Sequence, residues 1–360
     1  MKALAVDKAF VERAIGAIGL VLVAVGPLIF SSYFAYTILT QTFWLGIAAA
    51  SLIFLSAYGG MISLAQTAFY GIAAFALGNF VGRGEVKGLH LGLSPWLSVV
   101  LAIAITTALG LVFGAVASRS TGIYFLMITL TYGVIVFYFV GQTPLLGGFS
   151  GVSGLQDYTP GIVGNPVAQP NRLYYIALIT AVLVYLAIRY VVRTPFGISL
   201  MGIRDDPVRM GSLGYNAPLH RTLAFTFAAF IASLAGVLFG WWNGVVAPDH
   251  VGLSATVDLL IVAVIGGLGR IEGAWLGAFT FIVINNYVRG FGFLNNHFFT
   301  SLGLDASHFA TYIGVIFLLI VIVSPDGLIG LWDRLWSLAR RQRRAARSAE
   351  AAAGATAPRG

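Results

Sequence analysis

The chain has 360 residues, of which 58% are hydrophobic and 9% charged, and its mean hydropathy is +0.89. An ordinary soluble domain carries about 25% charged residues, so these values exclude a soluble globular protein and leave a polytopic helical membrane protein. There are no cysteines, which excludes thiol catalysis, zinc–thiolate sites and disulfides. The net charge of +8 is concentrated: residues 334–360 hold seven arginines and one glutamate. Basicity therefore belongs to a tail and does not mark a nucleic-acid-binding protein.

A membrane crossing needs about 20 mostly apolar residues. Uncharged stretches, divided at glycines, prolines and polar clusters, predict ten segments in an all-α fold. They lie at 15–30, 34–58, 62–82, 94–118, 121–140, 173–192, 222–242, 255–268, 273–290 and 308–324. The first, eighth and ninth are short for full crossings. The first follows Lys2, Lys8 and Arg13 as a signal peptide would, but no small-x-small cleavage site follows in SSYFAYT. It is read as an uncleaved helix.

Ten crossings put both termini on one side. With a cytoplasmic N-terminus, Arg119, Arg189, Arg193, Arg204, Arg209, Arg221, Arg270 and the tail are all cytoplasmic. Arg83, Lys87, Arg172 and Arg289 fall outside, which is the asymmetry expected of the positive-inside rule. Residues 1–333 thus form one transmembrane domain, and 334–360 a basic cytoplasmic tail whose end is mobile. The RRQRRAAR run of that tail follows Trp332 and Trp336 and suits the surface of the bilayer. The long connection at 142–172 is extracytoplasmic and rich in turn residues, with GGFSGVSG at 147–154 and Pro160, Pro166 and Pro170. The connection at 193–221 is cytoplasmic.

Enzymatic chemistry finds little support. None of the three lysines sits in a P-loop, the five histidines are scattered outside any HExxH pattern, and there is no GxSxG. The histidines are read as loop or interface residues. An ion-coupled carrier usually places an acidic group near the bilayer midplane. Asp258 alone comes near one, and it is placed at the outer mouth.

Small residues are abundant instead, with 44 glycines. The clusters YGGMISLAQTAFYG (58–71) and IGGLGRIEGAWLG (265–277) interrupt two apolar stretches. Such glycines permit close helix packing or broken helices beside a cavity. Ser63, Gln66, Thr129, Gly266 and Gly267 are the candidates for a translocation path. The alternative for the polar three is hydrogen bonding between helices.

In the 193–221 connection, Asp206 suits an N-cap, Pro207 the first helical position and Gly214 a left-handed C-terminal residue. This predicts a short helix at 207–213. With Arg204, Asp205 and Arg209 around it, the helix is either a docking element for a partner or a solvated connector.

The segment RTPFGISLMGIRDDPVRMGSLGYNAPLHRTLAFTFAAFIASLAGVLFG (193–240) resembles the signature region of LivM-type permeases, membrane subunits of branched-chain amino-acid ABC importers. Phe196, Gly197, Ile203, Arg204, Leu213, Gly214, Asn216, Ala224, Phe225, Ala235 and Gly236 stand at matching places. GGMISLAQTAFYGIAAF (59–75), GIYFLMITLTYG (122–133) and GGLGRIEGAWLGA (266–278) resemble further motifs of that family, in the same order. Ala65 and Ala73 depart from it where glycine is favoured, as do Asp205–Pro207 and Met210–Ser212 in the connection.

The resemblance implies an ABC importer permease fold in the inner membrane. It also implies a second, homologous permease subunit, two cytoplasmic ATP-binding subunits and an extracytoplasmic substrate-binding protein. Arg204, Asp205, Asp206, Arg209 and Gly214 would then couple to the ATPase. No cofactor, metal or catalytic residue is called for, since ATP hydrolysis would reside in partner chains. A stand-alone carrier or channel for a small polar solute is the alternative.

Overall fold

The computed structural model describes residues 33–82, 88–89 and 91–290, with parts of 19–31 and 314–330. The expected segment at 15–30 is described only in part, with a short helix at Gly26–Ile29, while the segment at 308–324 falls largely and the tail wholly outside the described residues. The remaining eight predicted segments each contain a helix. These are α1 (Phe34–Gly59), opening on a π-helical run at Phe34–Leu39, then α2 (Gln66–Val81), α3 (Pro95–Ala117), α4 (Ile123–Gln142) and α5 (Pro170–Arg193). After two shorter helices, α6 (Pro195–Asp205) and α7 (Pro207–Ser212), come α8 (Ala217–Asn243), α9 (Leu253–Gly266) and α10 (Gly273–Gly290). Five of them, α1, α3, α4, α5 and α8, are long and apolar enough to cross a membrane, and α9 and α10 are shorter apolar helices.

Two helices form the centre. α1 and α8 are long helices buried along most of their length, as is the shorter α2, whereas only a minority of the residues of α3 and α5 are buried. Hydrocarbon lipid is as apolar as leucine, so helix packing here depends on close fit. α8 supplies Ala224, Ala228, Ala232, Ala235 and Gly236 to that fit, all buried. α3 turns a stripe spaced by four residues, Ser98, Ala102, Thr106, Gly110 and Gly114, toward the interior. A Cβ on Gly110 would collide with Ala229 of α8, so the two helices meet almost backbone to backbone.

The two ends of the bundle differ. One end holds a two-stranded antiparallel ribbon, β1 (Val152–Ser153) with β2 (Val245–Val246), which joins the connection after α4 to the one after α8. Gln156 Nε2 donates to the Trp242 carbonyl nearby at 3.0 Å. The other end gathers the end of α1, the α3–α4 turn, α6, α7 and the α9–α10 turn, tied together by Ser118–Thr222 (2.8 Å) and Arg189–Glu272 (3.0 Å).

Besides shifts of up to three residues at other helix ends, three differences from expectation stand out. The segment expected to start at 62 becomes helical only at Gln66. α8 begins at Ala217 rather than 222, because Asn216 caps it by accepting the Leu219 amide at 3.1 Å. Finally, the 193–221 connection contains two helices, not one. Thr194 caps α6 and Pro195 occupies its first position, while Leu200 and Ile203 bury its inner face.

Candidate functional site

α1 stops at Gly60, whose φ of +65° is left-handed and unfavourable for a residue with a Cβ. Residues 60–65 then lie outside both helices, and α2 begins at Gln66. α2 has 16 residues, about 24 Å, short of a ~30 Å hydrocarbon core. The non-helical run leads from α1 into α2 with Met61, Ser63 and Ala65 buried. Buried irregular backbone needs partners from within the protein.

The side chains around it supply them. Thr129 Oγ1 on α4 accepts the Leu64 amide at 3.1 Å, and Ser63 Oγ accepts the Ala65 amide at 3.2 Å. Gln66 Nε2 donates to Ser63 Oγ at 3.4 Å, and the Ser51 hydroxyl of α1 reaches Gln66 Oε1 at 3.0 Å. Thr67 and Thr256 continue the line into α9, with hydroxyls 2.7 Å apart. Ser63, Gln66 and Thr129 thus gather around the run, Ser63 and Gln66 bonded to each other and Thr129 joined through the Leu64 amide, and each is 0% exposed.

Gly266 and Gly267 lie elsewhere, in the turn from α9 to α10. A Cβ on Gly266 would overlap the backbone of Gly273, so this turn closes by direct backbone contact. It also carries Glu272, which accepts from Tyr185 (3.1 Å) and Arg189 (3.0 Å) of α5. Both charged side chains are about two-fifths exposed, at 37% and 42%, so water screens the pair and its net worth is small.

The five candidate coupling residues fall on α6 and α7. Asp206 caps α7, its carboxylate accepting the amides of Val208 (3.1 Å) and Arg209 (3.0 Å), with Pro207 at the first position. Tyr215 N–H returns to the Met210 carbonyl at 3.1 Å and Gly214 N–H to Gly211 at 3.0 Å, with Gly214 at φ +89°. These two bonds form a Schellman motif. Met210 packs on Gly202 and holds α7 against α6. Val208 and Leu213 point outward, 78% and 66% exposed.

Arg204 and Asp205 form the last turn of α6, paired at 2.8 Å. Arg204 also reaches inward: Nη1 donates to the Ala57 carbonyl in the last turn of α1, and its stem lies on Gly60. α6 was missed in the sequence. Thr194–Pro195 was its start signal, followed by Leu200 and Ile203 three apart and a basic residue in the last turn.

At the ribbon end, His250 sits in the 3₁₀ turn Pro248–Val251 between α8 and α9. Its Nδ1 accepts the Ala247 amide at 3.1 Å, and its ring stands edge-on to Phe239 at 5.1 Å. Burial holds its pKa below 6.5, against opposing contributions from the Ala247 contact and Asp249. Asp258 is exposed in the second turn of α9.

With this geometry in place, comparison with known proteins identifies the family. Residues 34–324 match the sequence model of the branched-chain amino acid transport system, permease component. The chain belongs to that family. It is 27% identical over 224 residues to the high-affinity branched-chain amino acid transport system permease protein LivM of Salmonella typhimurium, which covers 56% of this chain and 53% of that one. A probable LivM permease of Methanocaldococcus jannaschii is 24% identical over 71% of this chain and 72% of its own length. The high-affinity branched-chain amino acid transport system permease protein LivH of Salmonella typhimurium is 31% identical over 126 residues, 35% of this chain and 37% of that one. The chain thus spans about half the length of the Salmonella LivM that it matches. No solved structure matches. The permease-family chain is accordingly an all-α polytopic membrane protein of a branched-chain amino acid transport family.

Proposed function

We propose that this chain is the membrane-spanning subunit of an ABC importer that moves branched-chain or related amino acids across the bacterial inner membrane by alternating access. Both termini and the 193–216 end of the bundle face the cytoplasm. A second, homologous permease subunit completes the membrane part, an extracytoplasmic binding protein delivers substrate, and two ATP-binding subunits drive the cycle.

The observation that carries this reading is α7. A six-residue helix, capped at both ends and locked on α6, presents Val208 and Leu213 outward beside charged residues. Such a rigid apolar point suits insertion into a cleft on another protein better than exposure to water. Asp205, Asp206 and Arg209 surround it, and Gly214 sets its end. A nucleotide bound to the partner could move this end only by favouring one of two states.

Substrate passes beside the broken run 60–65, where Ser63, Gln66 and Thr129 lie, and beside the Gly266–Gly267 turn. Small apolar groups and hydroxyls suit brief passage of a zwitterion rather than tight capture, so selectivity rests with the binding protein.

The test is reconstitution in liposomes with the cognate ATPases, second permease and binding protein. ATP-dependent uptake of a branched-chain amino acid, absent when any one partner is omitted, is the expected result. Uptake by this chain alone on a sodium or proton gradient would replace this reading with a carrier.

A further inference from the structure

We infer that Arg204 is a positioning residue that transmits movement of the α6–α7 end to the broken run 60–65, and so to Ser63, Gln66 and Thr129 around it. This rests on the importer reading above. The last four carbonyls of a helix have no partner within it. In α1, the Ser56 carbonyl is taken by the Gly60 amide at 3.2 Å, and the Ala57 carbonyl by the guanidinium of Arg204. A cation at that position also meets the negative end of the helix dipole. The same side chain is clamped on its outer side by Asp205, through Nε at 2.9 Å and Nη2 at 2.8 Å. Its stem fills the space left by the missing Cβ of Gly60: an added Cβ would stand 2.5 Å from Arg204 Cγ.

Arg204 therefore bridges two elements that a rigid displacement of α6 would separate. Before it lies Ile203, fully buried, and after Asp205 come the cap Asp206 and α7. Ahead of it lies Gly60, which has no Cβ to resist rotation, and then five residues outside both helices. The Leu64 amide is held by Thr129 of α4, the Ala65 amide by Ser63 within the run, and the Met61 amide by the Leu55 carbonyl of α1. Such a run can exchange hydrogen bonds among hydroxyls with little loss, whereas α1 and α2 on either side are continuous helices. A displacement of α7 would thus reach Leu64 and Thr129 through one charged hydrogen bond and one packed stem.

The native chain has no cysteine, so a single spin label at position 62 (Ile62→Cys), where the side chain is partly exposed, reports on the run without background. In the complex with its ATPases, ATP should change the label's mobility when Arg204 is present. Arg204→Ala should still co-purify with the partners and hydrolyse ATP, but lose the ATP-dependent change and transport at least about tenfold less substrate per ATP. Arg204→Lys, which can still donate to the Ala57 carbonyl, should recover part of both and remains informative if the alanine variant does not assemble. A label that responds to ATP in Arg204→Ala or Arg204→Lys as fully as in the wild type, with normal uptake, overturns the inference and leaves the importer reading standing. A wild-type chain that binds no ATPase defeats the importer reading itself, and this inference with it.

Discussion

Thr129 on α4 accepts the backbone amide of Leu64 at 3.1 Å, across 65 positions of sequence, while its own hydroxyl donates to Leu126 at 3.0 Å. One side chain thereby satisfies a polar group that the break between α1 and α2 would otherwise strand among apolar helices.

Thr129→Val keeps the shape and removes the acceptor. An unsatisfied buried amide costs about 1–3 kcal/mol, so the purified variant should melt measurably below wild type. Thr129→Ser should melt close to it. Equal melting of the valine and serine variants would show that the hydroxyl is not needed there.

The α9–α10 turn should resist any side chain. Gly266→Ala places a methyl into the backbone of Gly273, and forced overpacking costs about 1–3 kcal/mol or more. Low yield and a lowered melting temperature are expected. Gly211→Ala on α7 meets nothing within 4 Å and should leave stability unchanged or slightly raised. Indifference to Gly266→Ala would mean that the turn opens freely.

Val208→Asp or Leu213→Asp should leave the fold intact, since both side chains are largely exposed. Each should weaken co-purification with the ATP-binding subunits by about tenfold or more, since burying an unpaired charge is costly. Gly214→Val should act similarly by straining the Schellman end at positive φ. Normal assembly and uptake in all three variants would reduce α6–α7 to a connector.

His250 predicts a pH dependence. The folded chain favours the neutral ring, because burial lowers its pKa and outweighs the opposing contributions of the Ala247 contact and Asp249. Between the unfolded value near 6.5 and the lowered folded value, the unfolded chain binds more protons, so stability falls as pH drops through that window. It is full above the window and stops falling below it. Wild type should therefore lose its advantage over His250→Gln on passing from about pH 8 to about pH 5. A gap in melting temperature that stays constant over this range would exclude His250 as its source.

Much was legible in the residues themselves. Low charge and long uncharged stretches marked the crossings, because a charge inside hydrocarbon is expensive wherever the helix sits. Asp206, Pro207 and Gly214 announced α7, because caps are local chemistry: a carboxylate reaches amides two and three residues on, and a left-handed glycine closes the last turn. The family was legible too, from motifs in order across 59–278. α6 was passed over because Arg204 and Asp205 made its sequence look like a charged loop.

Other features depended on contacts between distant residues. Sequence alone did not separate the buried α1 and α8 from the peripheral α3 and α5, because lipid and protein interior are both apolar and hydropathy does not distinguish them. It did not show that Thr129 serves the same run as Ser63 and Gln66, since its hydroxyl meets the Leu64 amide only when α4 packs on the broken run. Nor did it show which way Arg204 points. A guanidinium beside two aspartates reads as a surface charge, and only the free carbonyl at the end of α1 turns it inward. Composition and local capping thus determined which segments are helices and where several of them begin and end. The tertiary structure decided which faces are covered and which polar groups meet, because those depend on the close fit of helices far apart in the chain.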